Sequence, residues 1–264
     1  MKKNLSLVLL LVLAAAFITD EANKKLNGAF QRSSYKSGDM KDWELQKEQK
    51  VAKIFADGYW MVFFYDDKRQ GNKLFNGAGG GTYSLLKNGK YNESLDYYSW
   101  DSTAVGKTYS FNYKVNTKAF QQYGFIDSEK YQHYAINEKF DRIIGKEQLK
   151  NNDLEGVWEM TEGTWGGKDK FGEGNLKNVT ARMIFQYPNM STAQFSKEKK
   201  DFSGAGLFSY QFDGTTFDQY CEAHSWDSSK VGTSRKFKIV VNGDSFTKTS
   251  DTWPGFKEVF KRIK

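Results

Sequence analysis

One cysteine, two prolines and two histidines in 264 residues remove several possibilities before any motif is read. A lone thiol, Cys221, cannot close an intrachain disulfide, so the fold has to rest on its core. His133 and His224 lack metal-ligand spacing, and neither Gly-x-Ser-x-Gly nor His-Glu-x-x-His occurs. The signals of a zinc enzyme or a serine triad are therefore missing. No catalytic residue, metal or cofactor is expected, and the reading leans away from an enzyme. Runs of Leu and Ala that would favour helices are scarce, and the only long apolar run lies at the start of the chain. Residues 5–18 make fourteen positions, short of the ~20 that cross a bilayer as a helix. Basic blocks are lacking as well: the formal charge of +7 is dispersed, and acidic residues interrupt its densest stretches near 197–200 and 257–264. Nucleic acid is not an expected partner.

Lys2 and Lys3, the apolar run, and then Ala14, Ala15 and Ala16 have the three-part layout of a secretory signal peptide. No cysteine follows the run directly, so a lipid-anchored route is not expected. The expectation is a periplasmic or secreted protein with no membrane span after removal of the signal.

Aromatic residues, at 16% of the chain, lean the composition toward strands. Residues 91–106 read YNESLDYYSWDSTAVG and residues 217–232 read FDQYCEAHSWDSSKVG, with Trp100 and Trp226 offset by 126 positions. Ser, Trp, Asp, Ser, Val and Gly recur unchanged, while Tyr/Phe, Asn/Asp, Glu/Gln and Asp/Glu exchange in kind. A duplicated domain follows. Other segments recur in the same order: Leu26-Asn27-Gly28-Ala29-Phe30 against Leu154-Glu155-Gly156-Val157-Trp158, Phe75-Asn76-Gly77-Ala78-Gly79 against Phe202-Ser203-Gly204-Ala205-Gly206, and two closing segments at 138–143 and 258–263. The boundaries that result are a signal peptide and tail over 1–22, a first domain over 23–144, a polar linker over 145–153, and a second domain over 154–264.

Asn88-Gly89 and Asp213-Gly214 sit between alternating aromatic segments, a strong hairpin signal. In the first copy strands are expected near 26–35, 51–56, 59–66, 78–86, 90–99, 107–116, 119–126 and 131–143. Turn signals about every ten residues suggest a sandwich or an up-and-down barrel. Polar stretches at 33–49 and 164–178 follow the first strand of each copy, where long loops would cover a barrel mouth or form an insertion.

Along the repeated strand the odd positions, Tyr91, Glu93, Leu95 and Tyr97, match Phe217, Gln219, Cys221 and Ala223. This is the more apolar set and should face inward; Tyr98 and His224 then face outward. Glu93 stands among apolar neighbours, which is costly unless it has a partner such as an inward Arg or Tyr, or a raised pKa. It is either a hydrogen-bonded structural carboxylate or part of a binding site. The repeated Trp-Asp-Ser corner is either an aromatic platform for a sugar or lipid, or an Asx-type turn capped by its Trp. The stretch DSTAVGKT at 101–108 looks like the tail of a phosphate-binding loop, but it lacks the first Gly, and the second copy lacks the Lys. No nucleotide site follows.

Gly156-Val157-Trp158 with Arg262, and Gly28-Ala29-Phe30 with Arg142, resemble the lipocalin and calycin barrels. There a Trp plugs one end of the barrel and an Arg lies across its face. With the Gly-Ala-Gly, Tyr-x-Glu and Phe-x-Arg-Ile segments, the chain looks like small lipocalin-like domains of unknown function in exported bacterial proteins, repeated over nearly the whole mature length. The second copy departs at Gln219, where the first has Glu93. The resemblance implies an all-β fold of two tandem antiparallel up-and-down barrels of about eight strands each. It also implies structural plugs at Phe30, Arg142, Trp158 and Arg262, the Phe plug being the weaker.

The expected function is non-enzymatic binding, each barrel holding a small hydrophobic or amphipathic molecule. Trp60, Phe64, Tyr91, Glu93, Tyr97 and Phe111 are the candidate lining in the first barrel, and Gln219 and Phe237 in the second. The alternative is a structural or interaction protein of the cell envelope, with filled barrels that meet glycans or other proteins through loops. Cavity volume separates the two.

Overall fold

The computed structural model describes residues 24–263 apart from 48, 67–74, 87–88 and 168–169; the expected signal peptide and Asn88 lie outside the described residues. Strands β1 (Gly28–Ser37), β3 (Gln49–Ala56), β4 (Tyr59–Asp66), β5 (Phe75–Leu86), β6 (Lys90–Tyr98), β7 (Thr108–Val115), β8 (Ala119–Ile126) and β9 (Tyr134–Arg142) pair in sequence order. β1 also pairs with β9, closing the first barrel, and the two-residue β2 (Glu44–Leu45) adds to the far half of β1. The second barrel closes through β10 (Gly156–Trp165), β11 (Thr180–Gln186), β12 (Asn189–Ser196), β13 (Asp201–Phe212), β14 (Thr216–His224), β15 (Ser234–Asn242), β16 (Ser245–Thr249) and β17 (Phe256–Arg262). The protein is thus two tandem eight-stranded antiparallel barrels of up-and-down order, a lipocalin-like plan. Closure leaves no sheet edge in the second barrel and only the β2 margin in the first.

Local chemistry fixes the turns. Asp213 accepts hydrogen bonds from the Thr215 and Thr216 amides at 2.9 and 2.7 Å, and Gly214 takes φ +104°. This is the Asx geometry that an Asp-Gly pair favours.

Several strands have both faces covered. Val51, Lys53 and Phe55 of β3 point into the first barrel, while Ala52, Ile54 and Ala56 pack against the second. Such strands read as unbroken apolar runs rather than alternating ones, as β4 does from Tyr59 to Tyr65. Small residues line the contact between barrels, including Ala52, Ala78, Ala193, Ala205 and Ala223. Tyr97 stacks on Phe195 at 4.9 Å, and Arg182 reaches across to Asp96 at 2.5 Å. Phe75 and Phe202 hold matching places in the two copies and stack on each other at 6.1 Å. Met61 and Ser191, also matched, touch through a hydroxyl donating to sulfur at 3.1 Å. Equivalent residues meet in this way only about a twofold axis, so the chain packs as a pseudo-symmetric dimer of its own halves.

A β-bulge corrects one expectation. The β5–β6 register shifts between Gly80 and Gly81, with Tyr97 opposite Gly80 and Leu95 opposite Gly81. An extra residue reverses the parity that follows it. Tyr91, Glu93 and Leu95 face inward as expected, but Tyr97 turns out to the inter-barrel contact and Tyr98 turns in. β14 repeats the shift between Leu207 and Phe208, so Ala223 faces out and His224 faces in.

Candidate functional site

The interior of the first barrel is filled largely by its own side chains. Lys53 Nζ pairs with Glu93 Oε1 at 2.5 Å and donates to Gln122 Oε1 at 2.8 Å. The Tyr91 hydroxyl donates to Glu93 at 2.9 Å and also contacts Gln122. Gln122 Nε2 donates to Glu138 Oε2 at 2.7 Å, and Arg32 closes the chain on Glu138 Oε1 at 2.6 Å. Buried charges that are paired and fully hydrogen-bonded in this way rigidify a core. Burial pushes the Glu93 carboxyl above its usual range, against the pull of Lys53. The remaining cavity is about 80 Å³, lined by Trp60, Phe64, Glu93, Phe111 and neighbours, room for a few waters and well below the roughly 300 Å³ at which ligand pockets usually begin. Four of the sequence candidates therefore meet here; Tyr91 lies beneath as a hydrogen-bonding hub, and Tyr97 lies outside. Lys53 was missed, because apolar residues occupy both faces of its strand and no alternation marks the inner one.

The second barrel keeps a cavity of about 410 Å³. Gln219 and Phe237 line it, with Met160, Met183, Met190 and Phe208 forming much of its apolar wall. Lys248 Nζ stands 4.0 Å from the Phe237 ring and 3.4 Å from Glu258 Oε2. Trp165 Nε1 donates to Glu258 Oε1 at 3.0 Å, while Oε2 has no hydrogen-bond partner among the described residues. Trp165 and Leu176, on the polar stretch after the first strand, border the cavity, as do Arg235 and Trp253. Alternation could have found Lys248, two residues after the inward Phe246, and Glu258, two before Phe260.

His224 was expected on the solvated outer face; the bulge instead places it on the cavity wall. Its Nδ1 accepts the Asp227 amide at 2.9 Å, and burial lowers its pKa from the ordinary value. Cys221 is buried, and burial pushes its thiol up to about 12, leaving it unreactive.

The Trp-Asp-Ser corners are Asx turns. Asp101 accepts the Thr103 amide at 2.9 Å and Asp227 accepts the Ser229 amide at 2.9 Å. Each Trp lies flat on a glycine of the Gly-Ala-Gly strand: a Cβ at Gly77 or Gly204 would collide with Trp100 or Trp226. Those glycines, at φ +143° and +152°, make room for the indoles. Across the strands that close each barrel, Arg142 lies 4.4 Å over Phe30 and Arg262 lies 4.0 Å over Trp158. Both guanidiniums also donate to backbone carbonyls, of Asn27, Lys25 and Thr117 in one barrel and of Glu155 and Asp153 in the other.

Among the described residues no helix is long and apolar enough to cross a membrane, and no three His, Cys, Asp or Glu side chains gather as a metal site. No family model and no curated protein matches the chain. Among solved structures it is similar to the uncharacterized protein YLR301w from Saccharomyces cerevisiae, at 11% identity and TM-score 0.53, over 90% of this chain and 98% of that one. That likeness is one of fold. Transferrin-binding protein B from Haemophilus parasuis aligns with a TM-score of 0.20, at 10% identity over 84% of this chain and 63% of that one, too low for a shared fold to be argued.

Proposed function

We propose that the chain is an exported, non-enzymatic binding protein of the lipocalin-like type, in which the second barrel takes a small, mostly apolar molecule. The observation that carries this reading is the contrast in volume, about 410 Å³ in the second barrel against about 80 Å³ in the first. Ligand pockets fall at roughly 300–1,000 Å³ and combine apolar walls with a few polar groups. Methionine walls suit a ligand of flexible shape. The expectation of one ligand per barrel is thereby narrowed to one per chain. The first barrel, its lumen largely filled, fits the second reading better, that of an interaction module.

Native mass spectrometry of protein isolated from its own host tests the proposal. One small molecule per chain is expected, released on denaturation. Uptake of the neutral fluorophore Nile red should be lost when Thr192→Trp fills the cavity. A chain that carries nothing, and takes up the dye equally with and without that substitution, overturns the proposal.

A further inference from the structure

Inward positions of the two barrels carry different net charge. Strand pairing matches Arg32 with Met160, Lys53 with Met183, Glu93 with Gln219 and Tyr109 with Arg235. It likewise matches Gln122 with Lys248 and Glu138 with Glu258. In the first barrel two cations and two carboxylates cancel, paired at 2.5 and 2.6 Å. In the second, Lys248 and Arg235 face the cavity with a single carboxylate, Glu258. The Lys248–Glu258 contact, at 3.4 Å, is looser than Lys53–Glu93. Arg235 forms no ion pair with a described carboxylate; its guanidinium lies 5.8 Å from the Trp253 ring. The other titratable group on the wall is His224. An excess cation in a partly desolvated cavity is costly until a counter-charge arrives.

We propose that the second barrel binds an amphiphile bearing one negative charge, its apolar body along Met160, Met183 and Met190 and its acid group toward Lys248 and Arg235. The inference rests on the reading of this cavity as a binding site and adds the chemical class of the ligand. The ligand's charge would supply the carboxylate that Gln219 no longer does. Gln219 is the cross-strand partner of Arg235.

The test compares dodecanoate, dodecanol and dodecyltrimethylammonium on the full chain at neutral pH and low salt, read by tryptophan fluorescence. Dodecanoate should bind at least about tenfold more tightly than dodecanol, with the ammonium weakest. Gln219→Glu, which restores the residue type of the first barrel, should weaken dodecanoate about tenfold more than it weakens dodecanol. Arg235→Gln should act in the same direction. The far-ultraviolet circular dichroism spectrum and urea midpoint of each variant show that it is folded. Dodecanol matching dodecanoate, or dodecanoate indifferent to both substitutions, overturns the charge assignment and leaves the cavity reading standing. Tightest binding of the ammonium reverses the sign and points to Glu258. Binding of none of the three removes the cavity reading itself.

Discussion

The two barrels share strand order, bulge, plug and Trp-Asp-Ser corner, and differ in what crosses the lumen. In the first, Lys53 on β3 reaches toward β6 and β8, and the Tyr91 hydroxyl joins Glu93 to Gln122. In the second, the places of Lys53, Tyr91 and Glu93 are held by Met183, Phe217 and Gln219, and the lysine is moved to β16 beside Glu258. A few substitutions therefore convert a bridged, neutral interior into an open one. The shell of a barrel specifies the fold, and its lumen can be rewritten separately.

Breaking the bridge should have the largest effect. Lys53→Met leaves Glu93 buried without its cation, and loss of one partner of a buried pair costs about 3–5 kcal/mol. Urea unfolding should show that loss, and hydrogen exchange should place it in the first barrel. The double change Lys53→Met with Glu93→Gln copies the residue types of the second barrel and should recover most of the stability. Equal damage from the single and double variants would mean that the charge pair is not what holds this interior.

The plugs sharpen the comparison on a smaller scale. Arg142→Ala removes charged hydrogen bonds to three carbonyls and Arg262→Ala to two, each bond worth about 1.5–3 kcal/mol. Arg142→Ala should cost more, because its extra bond to the Thr117 carbonyl outweighs the roughly 0.5 kcal/mol that the Trp158 ring adds over Phe30. Denaturation midpoints compared between the two variants, and against Trp158→Phe, test the difference.

Much of the shell could be read from the chain. The duplication gave the barrel count, Asp-Gly and Asn-Gly gave hairpins, and alternation placed Glu93, Phe111 and Phe237 inside. Three things were hidden for physical reasons. A bulge inserts a residue with no composition signal of its own, so Tyr97 and His224 were assigned to the wrong sides. Burial of β3 and β4 on both faces erases the period-two pattern that would have separated the lumen from the contact between barrels. The cation partner of Glu93, Lys53, comes from a strand 40 residues away, and pairing across a closed barrel is set by register that no local pattern encodes. Cavity volume depends on all of these at once, which is why the contrast between the barrels emerged only from the structure.

The smallest expected effect bears on the bulge itself. His224 and Tyr98 hold matching places, both on the inner wall. Burial lowers the imidazole pKa and raises that of the phenol, so acidification can add charge at this position only in the second barrel. A histidine whose folded pKa lies below the unfolded value of about 6.5 contributes stability that is fully present above that value. The contribution is lost as pH falls through the lowered folded value, where the native state must accept a proton that its setting disfavours. Titration of the His224 ring by NMR should therefore give a midpoint below 6.5, and His224→Tyr should flatten this part of the stability profile. A midpoint at or above the ordinary histidine value would place the ring in solvent, and with it would fall the reversal of parity that puts His224 on the cavity wall.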